Sequence, residues 1–347
     1  MNRDQRAGIG VGLFGTEPVG RTAELVGLAE ELGFENVWIG DSQNIWRDAY
    51  VTLGAVAAAT ERIILGTGVT NAVTRHFSVI ASAWATLSEL APGRVAFAIG
   101  TGDSSLRTMG MIPQRVADLE QRILSLRSLL AGEEVVDPDS RASFRLHFAP
   151  EQRVPIYVAA ASPRSLRMAG RVADGVVMCV GVDRRLVDAA LTHLAAGARE
   201  AGRSIDSIRI VLWTALAIED DGVSARDLVR AFTASAVIPP LVDELDGEER
   251  DAIKVIRAHY DYEEHMRTNA DHRELVPDQL VRRFAIAGTP LECDGQLKKI
   301  LSFPIDQLSV VPFGADRATV MRRLASLLAE SGAQIPADAA RLAAQGG

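Results

Sequence analysis

The chain has 347 residues, 48% apolar and 24% charged, a composition that can bury a large core and is unlike that of a disordered segment. With 45 acidic against 37 basic residues the formal charge is −8, which removes the electrostatic footprint of a nucleic-acid binder, and the scattered arginines make no basic face for an anionic membrane. Cys179 and Cys293, far apart and without a CxxC, suggest neither a disulfide framework nor a zinc ribbon; the N-terminus lacks the apolar core of a signal peptide, no window approaches a membrane span, and a cytoplasmic protein is expected.

Short apolar runs alternate with longer amphipathic ones. Strands are predicted at 9–14, 36–40, 63–69, 95–100, 156–160, 175–180, 208–217 and 307–312, with helices at 22–32, 49–59, 78–90, 116–131, 163–172 and 184–201. Eight strands in strict alternation favour a parallel sheet closed as a (β/α)8 TIM barrel, with an open doubly wound sheet as the alternative. Their continuous apolar character fits strands buried on both faces. Residues 133–154 read as a hairpin-like insertion after helix 4. Residues 224–278, after strand 7, read as a mostly helical insertion, either a lid or a solvated cap. With no repeat and no linker, residues 1–347 are expected to form one domain.

Gly10-Val-Gly12-Leu-Phe-Gly15 matches G-x-G-x-x-G, but inside the first strand rather than opening a helix, so a dinucleotide fingerprint is not supported. Glycines that let a flat ligand approach the barrel mouth are the better use. G-x-S-x-G, H-E-x-x-H and Walker A strings are absent. His259, Asp261, Glu263 and His265 gather metal-binding residue types, yet a charged helical insertion is usually solvated, and no metal site is expected.

Polar residues collect where a barrel carries its chemistry, at the C-terminal strand ends. These read Gly40-Asp41-Ser42, Gly68-Val69-Thr70-Asn71, Gly100-Thr101-Gly102-Asp103-Ser104-Ser105, Ala159-Ala160-Ala161-Ser162 and Pro312-Phe313-Gly314. Small residues and hydroxyls at several mouths leave room for a planar ligand and supply donors to its edges. Taken singly, Asp41 and Asp103 are also plausible helix caps, and Ser162-Pro163 a helix start. The small residues from Ala160 to Ser165 leave backbone N–H groups uncovered at a helix N-terminus, an arrangement suited to a phosphate.

The stretches WIGDSQNIWRDAYVTLGAVAAATERIILGTGVTNAVTRH, GRVAFAIGTGDSSLRTMG and PIYVAAASPRSLRMAGRVADGVVM together resemble the bacterial-luciferase-like superfamily, most closely its coenzyme F420-dependent methylene-tetrahydromethanopterin reductase branch. The resemblance implies a (β/α)8 barrel with a reduced flavin or deazaflavin across the strand ends. It implies a non-prolyl cis peptide at about Gly68 and Val69 behind the ring, with Thr70, Asn71, Thr74 and Arg75 holding that segment. Asp41 would stand beside the ring, with Thr101 and Gly102 at its edge and Ala160, Ala161 and Ser162 at the phosphate. Trp46 would wall the substrate site, and Asp103 would be the acid at the end of the fourth strand. Two departures stand out. Relatives often carry Asp-His where this chain has Asp41-Ser42, so an imidazole base is missing and sugar dehydrogenation is disfavoured. Phe77 replaces a common proline and would narrow the rim, leaving His76 either as a proton donor or as a brace.

The expected function is a homodimeric oxidoreductase passing a hydride between reduced coenzyme F420 and a small organic substrate held by Trp46 and the second insertion, with Asp103 or His76 supplying the proton. The alternative is an FMN-dependent monooxygenase using oxygen and a separate cofactor reductase. A third reading, of another class, is a flavin-binding protein without turnover.

Overall fold

The computed structural model describes residues 7–239 and 245–330; the two ends of the expected 1–347 domain and residues 240–244 of the second insertion lie outside them. All eight predicted strands form, each within two residues of its expected limits: β1 (Gly8–Leu13), β2 (Asn36–Ile39), β3 (Ile64–Thr67), β4 (Val95–Gly100), β5 (Ile156–Ala159), β6 (Gly175–Met178), β7 (Arg209–Ile218) and β8 (Gln307–Pro312). Each pairs in parallel with the next, and β8 returns to β1, which closes the barrel.

Two strand segments were not foreseen. Thr70–Asn71 adds a second, short pairing to the upper end of β4. Ala285–Gly288 pairs with residues 215–218 of β7, taking up the edge that β6, which reaches only residues 209–212, leaves behind. Within 133–154, Val135–Val136 and Ser143–Phe144 form an antiparallel hairpin. The second insertion contains the helices Arg230–Ala236 and Gly247–His259. No helix among the described residues is long and apolar enough to cross a membrane.

Strand alternation divides the side chains between two environments. Val11, Val37, Ile39, Ile99, Val158 and Val310 are fully buried, each contributing about 1.5–3 kcal/mol relative to exposure. The opposite set is unusual: small residues make way for two indoles. A Cβ on Gly12 would stand 2.3 Å from Cη2 of Trp213, and one on Gly66 would stand 2.5 Å from Cε3 of Trp38. The G-x-G-x-x-G string therefore accommodates the protein's own core rather than an approaching ligand, which corrects the expectation from sequence. Near the N-terminal ends of the strands, Trp38 Nε1 donates to Gln307 Oε1 at 3.4 Å. Gln307 Nε2 in turn donates to Asn36 Oδ1 and Glu35 Oε2 at 2.7 and 2.9 Å. Buried polar groups at this end are thus paired with one another.

The helix Pro163–Val172 lies unusually close to Arg184–Glu200. A Cβ on Gly197 would stand 1.9 Å from the Arg167 carbonyl oxygen, and one on Gly170 would stand 2.3 Å from that of Leu194. Only hydrogen at both positions permits this contact, and the contact fixes where the first helix begins.

Candidate active site

A cavity of about 500 Å³ opens across the C-terminal strand ends. Its lining includes Asp41 and Trp46 after β2, Gly68 and Val69 after β3, Thr101, Gly102 and Asp103 after β4, and Ala160, Ala161 and Ser162 after β5. The peptide bond between Gly68 and Val69 is cis, the feature the resemblance implied. Gly100 leaves space beside it, since a Cβ there would lie 3.1 Å from Val69 Cγ2.

Behind this floor a buried network holds residues 70–75. Asp41, with its side chain 1% exposed, accepts at Oδ2 from Thr70 Oγ1 at 2.6 Å and from Arg75 Nη1 at 2.7 Å. The Arg75 guanidinium lies 4.7 Å from the Tyr50 ring centre and also pairs with Asp48. Asn71 Oδ1 accepts from the backbone N–H groups of Val73 and Thr74 at 3.0 and 2.9 Å, while its Nδ2 donates to Ser105 Oγ at 3.1 Å. Thr70 and Asn71, expected at the cofactor site as holders of this segment, do hold it and do not themselves line the cavity. Their side chains are fully engaged in shaping the segment, so their role in binding is indirect.

Two acceptors in the cavity wall have no partner among the described residues: Asp41 Oδ1 and Gln114 Oε1. A buried carboxylate oxygen left unpaired is costly. Two such atoms in one wall fit a planar ring with N–H or O–H donors on its edge.

Asp103 presents its carboxyl to the same space. Burial raises its pKa, and Arg107, whose Nε donates to Oδ1 at 2.7 Å, opposes that rise only in part. The side chain is 40% exposed, and the residue lines the cavity. The Arg107 guanidinium also sits 4.9 Å from the Tyr262 ring centre, tying the end of β4 to the second insertion.

His76 is not on the cavity. It caps the helix Phe77–Leu90, its Nδ1 2.7 Å from Ser78 Oγ, with Nε2 3.5 Å from Asp137 Oδ2 of the hairpin. The imidazole therefore braces the hairpin against the barrel, away from the cavity. Phe77 is likewise buried, beneath His76 and Phe144, and does not narrow a rim. Replacing His76 with Ala is expected to leave turnover within about twofold and to lower stability by about 1 kcal/mol, measured by thermal unfolding; a hundredfold loss of kcat would return His76 to the chemistry.

The phosphate seat is also revised. Ala160 N–H donates to Val177 O at 3.0 Å, and Ser162 forms a reciprocal capping box with Ser165. The N–H groups of Ala161 and Arg164 remain without partners among the described residues, and the Arg164 side chain borders the same cavity. Arg164 was missed in sequence, although its place one residue after Pro163 sets it at the helix start. Also missed were Gln114 and Trp213, which line the cavity, and the place there of His265, which the sequence had singled out only among metal-binding residue types. Trp46 stacks on Phe14 with ring centres 4.4 Å apart, and the His265 ring centre lies 5.7 Å from that of Trp46. Among the described residues no cluster of three or more His, Cys, Asp or Glu is arranged to hold a metal ion.

Residues 4–307 match the family model described as luciferase-like monooxygenase. The 5,10-methylenetetrahydromethanopterin reductase of Methanolobus tindarius is 31% identical over 309 residues, covering 86% of this chain and 92% of that protein. The F420-dependent glucose-6-phosphate dehydrogenase of Beutenbergia cavernae is 35% identical over 227 residues, 60% of this chain and 68% of that protein. Among solved structures, the coenzyme F420-dependent tetrahydromethanopterin reductase of Methanopyrus kandleri superimposes with a TM-score of 0.73 at 23% identity, covering 94% of this chain and 99% of that one, and shares the fold.

Proposed function

This chain belongs to the luciferase-like family of enzymes, and from that premise we propose that it is a coenzyme F420-dependent oxidoreductase moving a hydride between the deazaflavin and a small organic substrate. The observation that carries the reading is Asp41: a buried carboxylate at the strand ends that lines the cavity, with Oδ2 braced by Thr70 and Arg75 and Oδ1 without a partner among the described residues. Similarity to enzymes named for F420 supports this coenzyme over FMN. When bound, the coenzyme supplies the hydride chemistry, and the protein supplies position and protons.

Asp41 Oδ1 and Gln114 Oε1 accept from donors on the ring edge. The Ala161 and Arg164 N–H groups and the Arg164 guanidinium meet its phosphate. Gly68 and Val69 form the floor, Trp46 walls the substrate space, and Asp103 delivers the compensating proton. Ser42 offers no base, since its hydroxyl is buried against Ser104 Oγ at 3.0 Å; this agrees with a substrate other than a sugar.

The test is a binding titration of F420 against FMN, oxidised and reduced, with oxygen uptake measured in parallel. Tight F420 binding without oxygen consumption is expected. FMN binding with reductase-dependent oxygen uptake would move the protein to the monooxygenase reading. Asp103→Asn should lower kcat about 100-fold with the F420 Kd unchanged; unaffected turnover removes Asp103 from the chemistry, and no turnover in the wild type leaves only a flavin-binding role. Because a donor acts protonated, activity is full below the raised pKa of Asp103 and is lost as pH rises through it. Arg107 holds that pKa down, so Arg107→Met should shift the falling limb to higher pH.

A further inference from the structure

The second insertion carries into the cavity a pair that the hydride-transfer reading leaves unused. His265 is 7% exposed and lines both the 500 Å³ cavity and a neighbouring one of about 800 Å³. Met266, next to it, also borders both, with φ of 64°, a conformation that residues bearing a side chain rarely adopt. The turn is thus held in a form that sets these two side chains into the wall.

Tyr260 Oη lies 2.6 Å from His265 Nδ1. The protonation of the two groups limits what this bond can be. Burial raises the phenol's pKa, so it keeps its proton, and burial pulls the imidazole down to about 3, with nearby His272 adding to the effect, so the ring carries a single proton near neutrality. A neutral phenol can donate to the bare nitrogen of a neutral imidazole or accept from its N–H. With the phenol donating, the ring proton is on Nε2. That atom has no hydrogen-bond partner among the described residues, and the residue lines the cavity. The cavity lining here includes the apolar Phe14, Trp46 and Met266, with the Trp46 ring centre 5.7 Å from that of His265, while Asp41 brings a carboxylate to the same space.

We infer that His265 is the substrate-orienting residue: its Nε2–H, set by Tyr260, donates a hydrogen bond to an uncharged carbonyl oxygen or imine nitrogen, so the site takes neutral C=O or C=N compounds and turns away carboxylates and phosphates. This rests on the hydride-transfer reading and narrows it. When a carbonyl carbon gains a hydride, a C–H bond forms, the C=O π pair moves onto oxygen, and Asp103 supplies the proton there. Reduced coenzyme F420 is the electron source. A fixed neutral donor at that oxygen stabilises the growing charge, whereas an anionic substrate gains no cation from Phe14, Trp46 or Met266 and meets the Asp41 carboxylate.

The experiment uses protein labelled with 15N-histidine, with and without F420, titrated with cyclohexanone as the neutral probe and pyruvate as the anionic one. The expected result is an Nε2–H tautomer that stays unprotonated down to about pH 5, with an Nε2 proton that moves downfield with cyclohexanone and not with pyruvate. Tyr260→Phe, which removes the positioning hydroxyl, should let the Nδ1–H tautomer appear. In turnover of cyclohexanone with reduced F420, His265→Leu should lower kcat/KM about tenfold at unchanged F420 Kd, and His265→Gln should recover most of it. An Nδ1–H tautomer in the wild type, no shift with cyclohexanone, equal shifts with both probes, no reduction of cyclohexanone, or an F420 Kd that worsens in step with kcat/KM overturns the assignment. Failure of the wild type to bind F420 overturns the hydride-transfer reading instead, and the tautomer and probe shifts of the unloaded protein then decide the role of His265.

Discussion

Asp41→Ala is expected to abolish saturable binding of coenzyme F420 and to lower the free energy of unfolding by about 3–4 kcal/mol. The carboxylate is almost wholly enclosed and is the shared acceptor for Thr70 Oγ1 and Arg75 Nη1. Removing it leaves the largely buried Arg75 with only Asp48, whose side chain is 43% exposed, and leaves Thr70 without a charged acceptor. Asp41→Asn separates the two consequences. An amide of the same shape keeps one oxygen, so most of the stability should remain. One side of the group becomes a donor, however, and affinity for F420 should fall at least tenfold. Urea unfolding and a fluorescence titration read the two effects. Normal F420 binding by the Ala variant would remove Asp41 from the cofactor site.

The second large effect is expected far from any ligand. Gly197→Ala should lower stability by about 3 kcal/mol, because the new methyl group meets the Arg167 backbone carbonyl, which has no rotamer to change. The helices Pro163–Val172 and Arg184–Glu200 must part, and the start of the first one carries Ala161 and Arg164, so F420 affinity should fall as well. Gly27→Ala is the matching control. It lies inside the helix Val19–Glu31 with nothing within 4 Å of an added Cβ, and should gain about 0.5–1 kcal/mol. If both substitutions change stability alike, the close approach of the two helices is not what the fold depends on.

The barrel was legible because its strands are buried on both faces, and such strands announce themselves as unbroken apolar runs. Ala285–Gly288 escaped because Ala-Ile-Ala-Gly carries almost no strand signal of its own; its conformation is set by the free upper edge of β7. Strand ends were also readable, since Asp41, Gly68, Val69 and Asp103 follow directly on strands. His76 was misjudged for a directional reason. It follows the same strand, but the chain has already turned to start a helix, and its ring faces Ser78 and Asp137. Ser162 was half legible: its helix-start role was seen, yet Ser-x-x-Ser closing on itself was not, and that pairing takes up the Ser162 N–H. The cavity position of His265 was beyond sequence reasoning. Its significance comes from Tyr260 and Trp46, and only the folded insertion brings the latter against it.

Phe14, Trp46, His265 and Met266 belong to two chambers at once. A divider one side chain thick gives neither compartment an independent boundary: trimming any of the four to enlarge one enlarges the other. Altered selectivity acquired at these positions is therefore coupled, and a longer guest gains its extra room from the polar annex beside Arg317 and Asn269 rather than from the strand ends.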